Sequence, residues 1–312
     1  MNKKLLVVFG ATGNQGGSVV HHVLSDPELY KQYSVRAITR SASGPNARAL
    51  SVNGAEIVEA DLDDSLSLKA AVAGAHTVFA STNTQDTGNT RAIETRQAKA
   101  LFKELVYAGA KYVIWSTLPH VYNISDGKLN VEHFDTKAEI EEYLRDLPIK
   151  SSFFAPGFFM QNFLSHRMPP RLSSANDGTY VLANLCKGNT LMPLIDATDT
   201  GKWVGAILAK PDEYEGKYFA AAQGLYTWDE IAQTISKVTM KTVEFQHVPD
   251  DVFRDWMPEG LRDDLHDMYT MFREHGYYGK KTRENIAWAA ERARRSPVSL
   301  EEFFRRENFK LD

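Results

Sequence analysis

Leu5-Leu6-Val7-Val8-Phe9-Gly10-Ala11-Thr12-Gly13-Asn14-Gln15-Gly16-Gly17-Ser18-Val19-Val20 decides how the rest of the chain reads. Five consecutive apolar residues, rich in β-branched and aromatic types, make a strand buried on both faces, as in a parallel sheet. Gly10 lets the chain turn sharply where that strand ends, Gly13 lets the backbone approach a pyrophosphate, and Gly16 or Gly17 lets a helix pack close to the strand. Val19, Val20, Val23 and Leu24 then recur at the spacing of one helix face. The amides that open this helix, with its dipole, form a seat for phosphate. On this reading Gly10, Thr12, Gly13, Asn14, Gln15 and Gly16 hold a dinucleotide. A glycine-rich turn without a ligand is the alternative.

The 312 residues suffice for one large α/β domain, or for a major domain with a smaller appendage. The net charge of −4 is small and no basic stripe stands out, so neither nucleic acid nor a membrane surface is expected as a partner. Cys186 is the only cysteine. An intramolecular disulfide and a cysteine-built metal site are thereby set aside, no metal is expected, and a reducing compartment, the cytosol or the nucleus, is the expected home. Lys3 and Lys4 precede an apolar run too short for a signal peptide, and no stretch approaches the roughly 20 apolar residues of a membrane span.

The second strand, Ser34 to Arg40, ends where the cofactor is chosen. Sites that prefer NAD usually place an acid about 20 residues past the glycines to accept from the ribose hydroxyls. No acid occurs from Lys31 through Ala55, and Thr39-Arg40-Ser41-Ala42-Ser43 stands there instead. Arg40 can pair with a 2′-phosphate and the serines can add hydroxyl donors, which favours NADP(H). An exposed strand-end arginine is the other reading of Arg40.

A helix is expected over Pro45 to Val52, a strand over Ala55 to Ala60, and a helix over Ser65 to Ala73 capped by Asp63 or Asp64. Asp61 and Leu62, nearer the strand end, can border the adenine. Thr77 to Ala80 is a fourth strand with Ser81, Thr82 and Asn83 at its carboxyl end, where ligands of open α/β sheets bind. A polar, mobile turn is expected at Gln85 to Thr90, then a long amphipathic helix to Ala108. Lys111 to Thr117 is a fifth strand and Lys150 to Ala155 a sixth. This alternation predicts a Rossmann-type, doubly wound parallel sheet, an α/β fold, in residues 1–156. Residues 157–312 form a smaller C-terminal α/β region interleaved with that sheet, with short strands near 179–183 and 217–222.

Between the fifth and sixth strands, Val131 to Leu144 reads as a helix. Lys137 lies beside apolar positions 134, 138 and 140, so it can point inward, and His133 sits one turn earlier. Short-chain reductases place Tyr and Lys at this spacing, the lysine holding the nicotinamide ribose and lowering the tyrosine pKa. Here histidine takes the tyrosine position, and Tyr143 lies too far round the helix to replace it. Lys137, Ser116 and His133 are therefore the candidate catalytic groups. The plainer readings are a surface Lys137 paired with Glu141 and a half-buried, structural His133.

At the end of the sixth strand Pro156 and Phe159 can wall a nicotinamide ring, although Phe158, Phe159 and Phe163 also suit a core. Asn162 can bond ligand or loop. The acid pairs Asp250-Asp251 and Asp263-Asp264 read as helix caps, and the aromatic and methionine residues between 251 and 278 as helical core or a cleft cover.

Taken together, the glycine turn, Thr39-Arg40, His133-Phe134-Asp135-Thr136-Lys137 and Pro156 through Asn162 make the whole chain resemble the NmrA-like family, atypical relatives of the short-chain dehydrogenases. The resemblance implies NADP(H) across the carboxyl edge of the sheet, Arg40 on its 2′-phosphate and Lys137 near the nicotinamide ribose. Members without the tyrosine are described as redox sensors acting through protein partners, and NmrA restrains a transcription factor. Isoflavone and phenylcoumaran ether reductases are enzymes that keep a lysine at the position of Lys137. The expected function is an NADP(H)-binding sensor, able to form a homodimer, whose moving parts are the 85–90 and 119–127 loops. The rival is an NADPH-dependent reductase of a small aromatic or quinone-like carbonyl, imine or ether, with Lys137 or a water between Lys137 and Ser116 giving the proton. A scaffold with an empty cleft is a third reading.

Overall fold

A computed structural model describes residues 2–84, 89–164, 168–175 and 177–311. The first half alternates strand and helix: β1 (Lys4–Val8), α1 (Asn14–Ser25), α2 (Pro27–Gln32), β2 (Tyr33–Thr39), α3 (Pro45–Val52), β3 (Glu56–Glu59), α4 (Ser65–Val72), β4 (Thr77–Ala80), α5 (Thr90–Tyr107), β5 (Tyr112–Ser116), α6 (Val121–Ile124), α7 (Glu132–Arg145) and β6 (Lys150–Pro156). The second half is made of shorter pieces: β7 (Phe158–Phe159), β8 (Arg171–Leu172), β9 (Tyr180–Asn184), β10 (Leu191–Ile195), α8 (Thr200–Ala209), β11 (Tyr218–Ala221), β12 (Gly224–Thr227), α9 (Trp228–Thr239), β13 (Val243–His247), α10 (Asp250–Trp256), α11 (Arg262–Glu274), α12 (Thr282–Ala290) and α13 (Leu300–Arg306).

Seven strands form one sheet in the order β11-β6-β5-β4-β1-β2-β3. Its pairs are all parallel. The order reverses between β1 and β4, and in such sheets the crevice at the carboxyl ends beside that switch point is where ligands bind. Both faces of the sheet are covered. Val19, Val20 and Val23 of α1 with Trp203, Val204 and Ile207 of α8 close one face, and Leu101, Phe102 and Leu105 of α5 with Ile140 and Leu144 of α7 close the other. This two-sided burial explains why the strands read as near-continuous apolar runs.

The strand near 217–222 joins the main sheet: β11 pairs with β6 from Tyr218 opposite Phe153. The remaining late strands form two three-stranded sheets, β12-β10-β7 and β13-β9-β8. A core of its own ties them to the late helices, and Phe253, Tyr269, Met271, Phe272 and Tyr277 belong to it. Among the described residues no helix is long and apolar enough to cross a membrane.

Several local expectations are corrected. Asp64 caps α4 by accepting from the Leu66 amide at 3.0 Å, whereas Asp63 binds Arg96 and Gln97 of α5. Asp250 and Asp264 cap neither of their own helices. Asp250 pairs with Arg273 at 2.7 Å, and Asp264 accepts the Glu132 amide at 2.5 Å, so it caps the start of α7 from a helix far along the chain. The 119–127 segment, expected to move, carries α6 and is tied down. Buried Asp135 accepts from the Tyr122 amide and bonds the His120 ring, each at 3.0 Å. Most of the expected mobile turn at 85–90 lies outside the described residues.

Candidate functional site

Gly10 leaves β1 with φ +64°, a conformation that glycine adopts without strain. A Cβ on Gly16 would stand 2.6 Å from the Gly10 carbonyl carbon and 2.9 Å from the Ala11 nitrogen, so only glycine lets α1 start this close to the turn. Gly13 is the N-cap residue, no side chain caps the helix, and no acid lies in its first turn. The first amides of α1 are thus left to an anion, as an aligned helix dipole favours. Gln15 is fixed from the far side of the crevice, its Oε1 accepting from the Ser116 hydroxyl at 2.8 Å.

At the outer end of the crevice, the Thr39 hydroxyl accepts the Ser41 amide at 3.2 Å and the Ser41 and Ser43 hydroxyls stand 3.3 Å apart. Asn46 of α3 donates to the Thr12 carbonyl at 3.1 Å, bracing this loop against the glycine turn. Arg40 is exposed and makes no hydrogen bond or ion pair among the described residues. Asp61 is exposed and accepts the Asp63 amide at 2.9 Å, with Leu62 half-buried beside it. A cavity of about 440 Å³ starts at Thr12 and Asn14 and runs along α1 to Lys202 and Arg295.

The inner end holds a buried charge pair. Lys137 points inward from α7 and its ammonium binds the Glu94 carboxylate of α5. It also donates to the Thr82 carbonyl at 3.0 Å and reaches the Thr82 hydroxyl at 3.3 Å. That hydroxyl donates to the same Glu94 oxygen, Oε2, while Oε1 is buried without a partner among the described atoms. Burial pushes the Lys137 pKa below the usual lysine range, and Glu94 works in the opposite direction. The carbonyl of Lys137 accepts from the Trp115 indole and the Thr117 hydroxyl, each at 3.2 Å, which locks this turn of α7 onto β5. Glu141 is not its partner, since it takes Arg145 at 2.7 Å.

The candidate catalytic groups are not gathered at one point. Ser116 is held by Gln15. His133 turns away to α11, its Nδ1 hydrogen-bonded to the Asp264 carboxylate at 2.7 Å and its ring packed edge-on against Phe134. Ser81 is half-buried and donates weakly to the Thr82 carbonyl, and Asn83 is exposed. Pro156 ends β6 buried and its carbonyl accepts from Tyr277, while Phe159 is half-buried in β7. Phe158 and Phe163 are core residues. Glu94 was the residue missed by reading motifs. The signal was present, because 94, 98, 101, 102 and 105 form one stripe of α5, and an acid on an apolar stripe needs a buried partner. Among the described residues no group of three or more His, Cys, Asp or Glu side chains is placed to hold a metal.

A doubly wound parallel sheet with an open glycine turn at its switch point defines a Rossmann-type protein. The NmrA-like family model matches residues 2–304, and the chain belongs to that family. The NmrA-like family domain-containing oxidoreductase PtmS of Penicillium ochrochloron is 31% identical, over 79% of this chain and 76% of its own length. The structure of NmrA, a negative transcriptional regulator, in complex with NADP superposes with a TM-score of 0.77 at 22% identity, covering 98% of this chain and 97% of NmrA. The Citrobacter sp. triphenylmethane reductase complexed with NADP(H) gives 0.74 at 20% identity, with 96% and 99% covered.

Proposed function

We propose that this chain binds NADP(H) and acts as a regulator, with residues 1–156 carrying the dinucleotide and residues 157–312 completing the cleft. The residues fit that group. Gly10, Gly13 and Gly16 leave room and free amides for a pyrophosphate and Arg40 is free to pair with a 2′-phosphate, while Lys137 would exchange one of its bonds to Glu94 or Thr82 to hold the nicotinamide ribose. NmrA and the triphenylmethane reductase, whose structures hold NADP or NADP(H), support the same reading. When bound, the cofactor supplies a hydride at its nicotinamide.

The observation that carries the regulatory reading is the pairing of Lys137 with Glu94. Each of the candidate proton donors is engaged among the described residues, Lys137 by Glu94, His133 by Asp264 and Ser116 by Gln15. What remains is a dinucleotide site beside a buried charge pair, suited to reporting which redox form is bound to a protein partner such as a transcription factor, in the cytosol or nucleus. A ligand acts as a signal only if its two forms prefer different states of the protein. Titration with NADP+ and with NADPH, followed by limited proteolysis and measurement of the association state, tests this. Unequal affinities with a changed digestion pattern are expected. Equal affinities and identical patterns would contradict the sensing role.

A reductase is the second reading, favoured by the likeness to PtmS, which carries the oxidoreductase name. Lys137, or a water that it holds, would then give the proton to a small aromatic or quinone-like carbonyl, imine or ether. NADPH consumption with a panel of such acceptors is expected to stop in Lys137→Met/Glu94→Gln while cofactor binding persists. No turnover by the unaltered protein would dismiss it.

A further inference from the structure

Glu59, the last residue of β3, lies opposite Thr39 in the parallel register with β2. Its Oε1 accepts the backbone N–H of Ala42 at 2.6 Å. The side chain is exposed, and it forms no ion pair with a lysine or arginine among the described residues. The loop it reaches is the one that carries Arg40, Ser41 and Ser43, where the Ser41 amide is already taken by Thr39. The Ala42 amide is a donor this loop could offer to an anion, and a carboxylate of the chain itself occupies it. Reading β2 alone, the acid that favours NAD is missing; the neighbouring strand delivers one to the same place.

We propose that Glu59 is a specificity-determining residue that opposes Arg40 and narrows the preference of this protein for the 2′-phosphorylated dinucleotide. The inference rests on the cofactor site proposed above. A 2′-phosphate arriving at this loop brings close to two negative charges next to the Glu59 carboxylate and competes with it for the Ala42 amide. A free 2′-hydroxyl does neither, and it can donate a hydrogen bond to the carboxylate. Arg40 attracts only the phosphorylated form, by a charge-assisted and often bidentate pair. The two side chains therefore pull the choice between NADP(H) and NAD(H) in opposite directions, and neither is part of the inner site around Lys137.

Calorimetric titration of the full chain with NADPH and with NADH, for the unaltered protein, Glu59→Gln and Arg40→Ala, tests this directly. Glu59→Gln is expected to tighten NADPH by about tenfold and to leave NADH unchanged or weakened by about threefold, an effect that shrinks as salt screens the exposed charges. Arg40→Ala is expected to shift the same ratio the other way. A ratio of the two affinities that Glu59→Gln leaves within about twofold of the original overturns the proposal. If the unaltered protein binds neither dinucleotide, the cofactor reading fails and the role of Glu59 with it. That result is distinct from binding with an unmoved ratio.

Discussion

A lysine and a glutamate shut away from water support one another only while both are present. Removing either member of a buried pair strands the other charge, a loss of roughly 3–5 kcal/mol, whereas replacing both with neutral groups of similar shape is often close to neutral. Lys137→Met and Glu94→Gln are therefore each expected to lower stability by about 3 kcal/mol, and the double variant to recover most of it. Urea denaturation of the four proteins checks this, and strictly additive losses would show that the pair is not coupled. The inward direction of Lys137 was legible from apolar neighbours at 134, 138 and 140. Its partner was not, because Glu94 lies 43 residues earlier on another helix, while the local spacing pointed to Glu141. The exposed position of Arg40 just past β2 was legible for the opposite reason: it depends on where a strand ends, and that is a local fact.

Between elements, α1 and α8 pack through glycine. His22 is buried on α1, and a Cβ on Gly205 would come within 2.5 Å of its ring, one on Gly201 within 2.5 Å of its Cβ. Gly205→Ala would ordinarily stabilise a helix by about 1 kcal/mol. Here the clash with the ring, at roughly 1–3 kcal/mol for an overpacked core, outweighs it, so a lower Tm is expected and an unchanged or higher one would contradict the packing. Burial is the main reason that the His22 pKa falls to about 4, with Asp26 opposing and Arg295, Arg294 and Lys202 assisting. Between pH 6.5 and about 4 the unfolded chain accepts a proton that folded His22 refuses, so stability falls as pH drops through that window, by up to about 3 kcal/mol. His22→Gln is expected to flatten this part of the stability profile, and a slope equal to that of the unaltered protein would show that His22 does not produce it. The elements themselves were legible in proportion to their length. α3 and β4 fall where spacing put them, but β7 and β8 hold two residues each, too few for any periodicity. The short α2 could have been found, since Asp26 caps it and Pro27 opens it.

At the scale of the whole molecule, one sheet edge gathers residues from the whole length of the first half. The glycine turn ends β1, Thr39 and Glu59 end β2 and β3, Thr82 follows β4, and Ser116 ends β5. That these strands form one parallel sheet could be expected from their alternation with helices. The edge strand β11, beside β6, could be read as a strand but not assigned to this sheet, because its place is set by packing against α8 and α12 and not by its own four residues. The proposed binding of NADP(H) at the carboxyl edge of this sheet, with Arg40 on the 2′-phosphate, underlies every functional prediction above. Titration of the purified full chain with NADPH, followed by the change in nicotinamide fluorescence, tests it most directly. Saturable binding is predicted, weakened about tenfold or more by Arg40→Ala at low salt. No saturable signal, or an affinity untouched by Arg40→Ala, would contradict it.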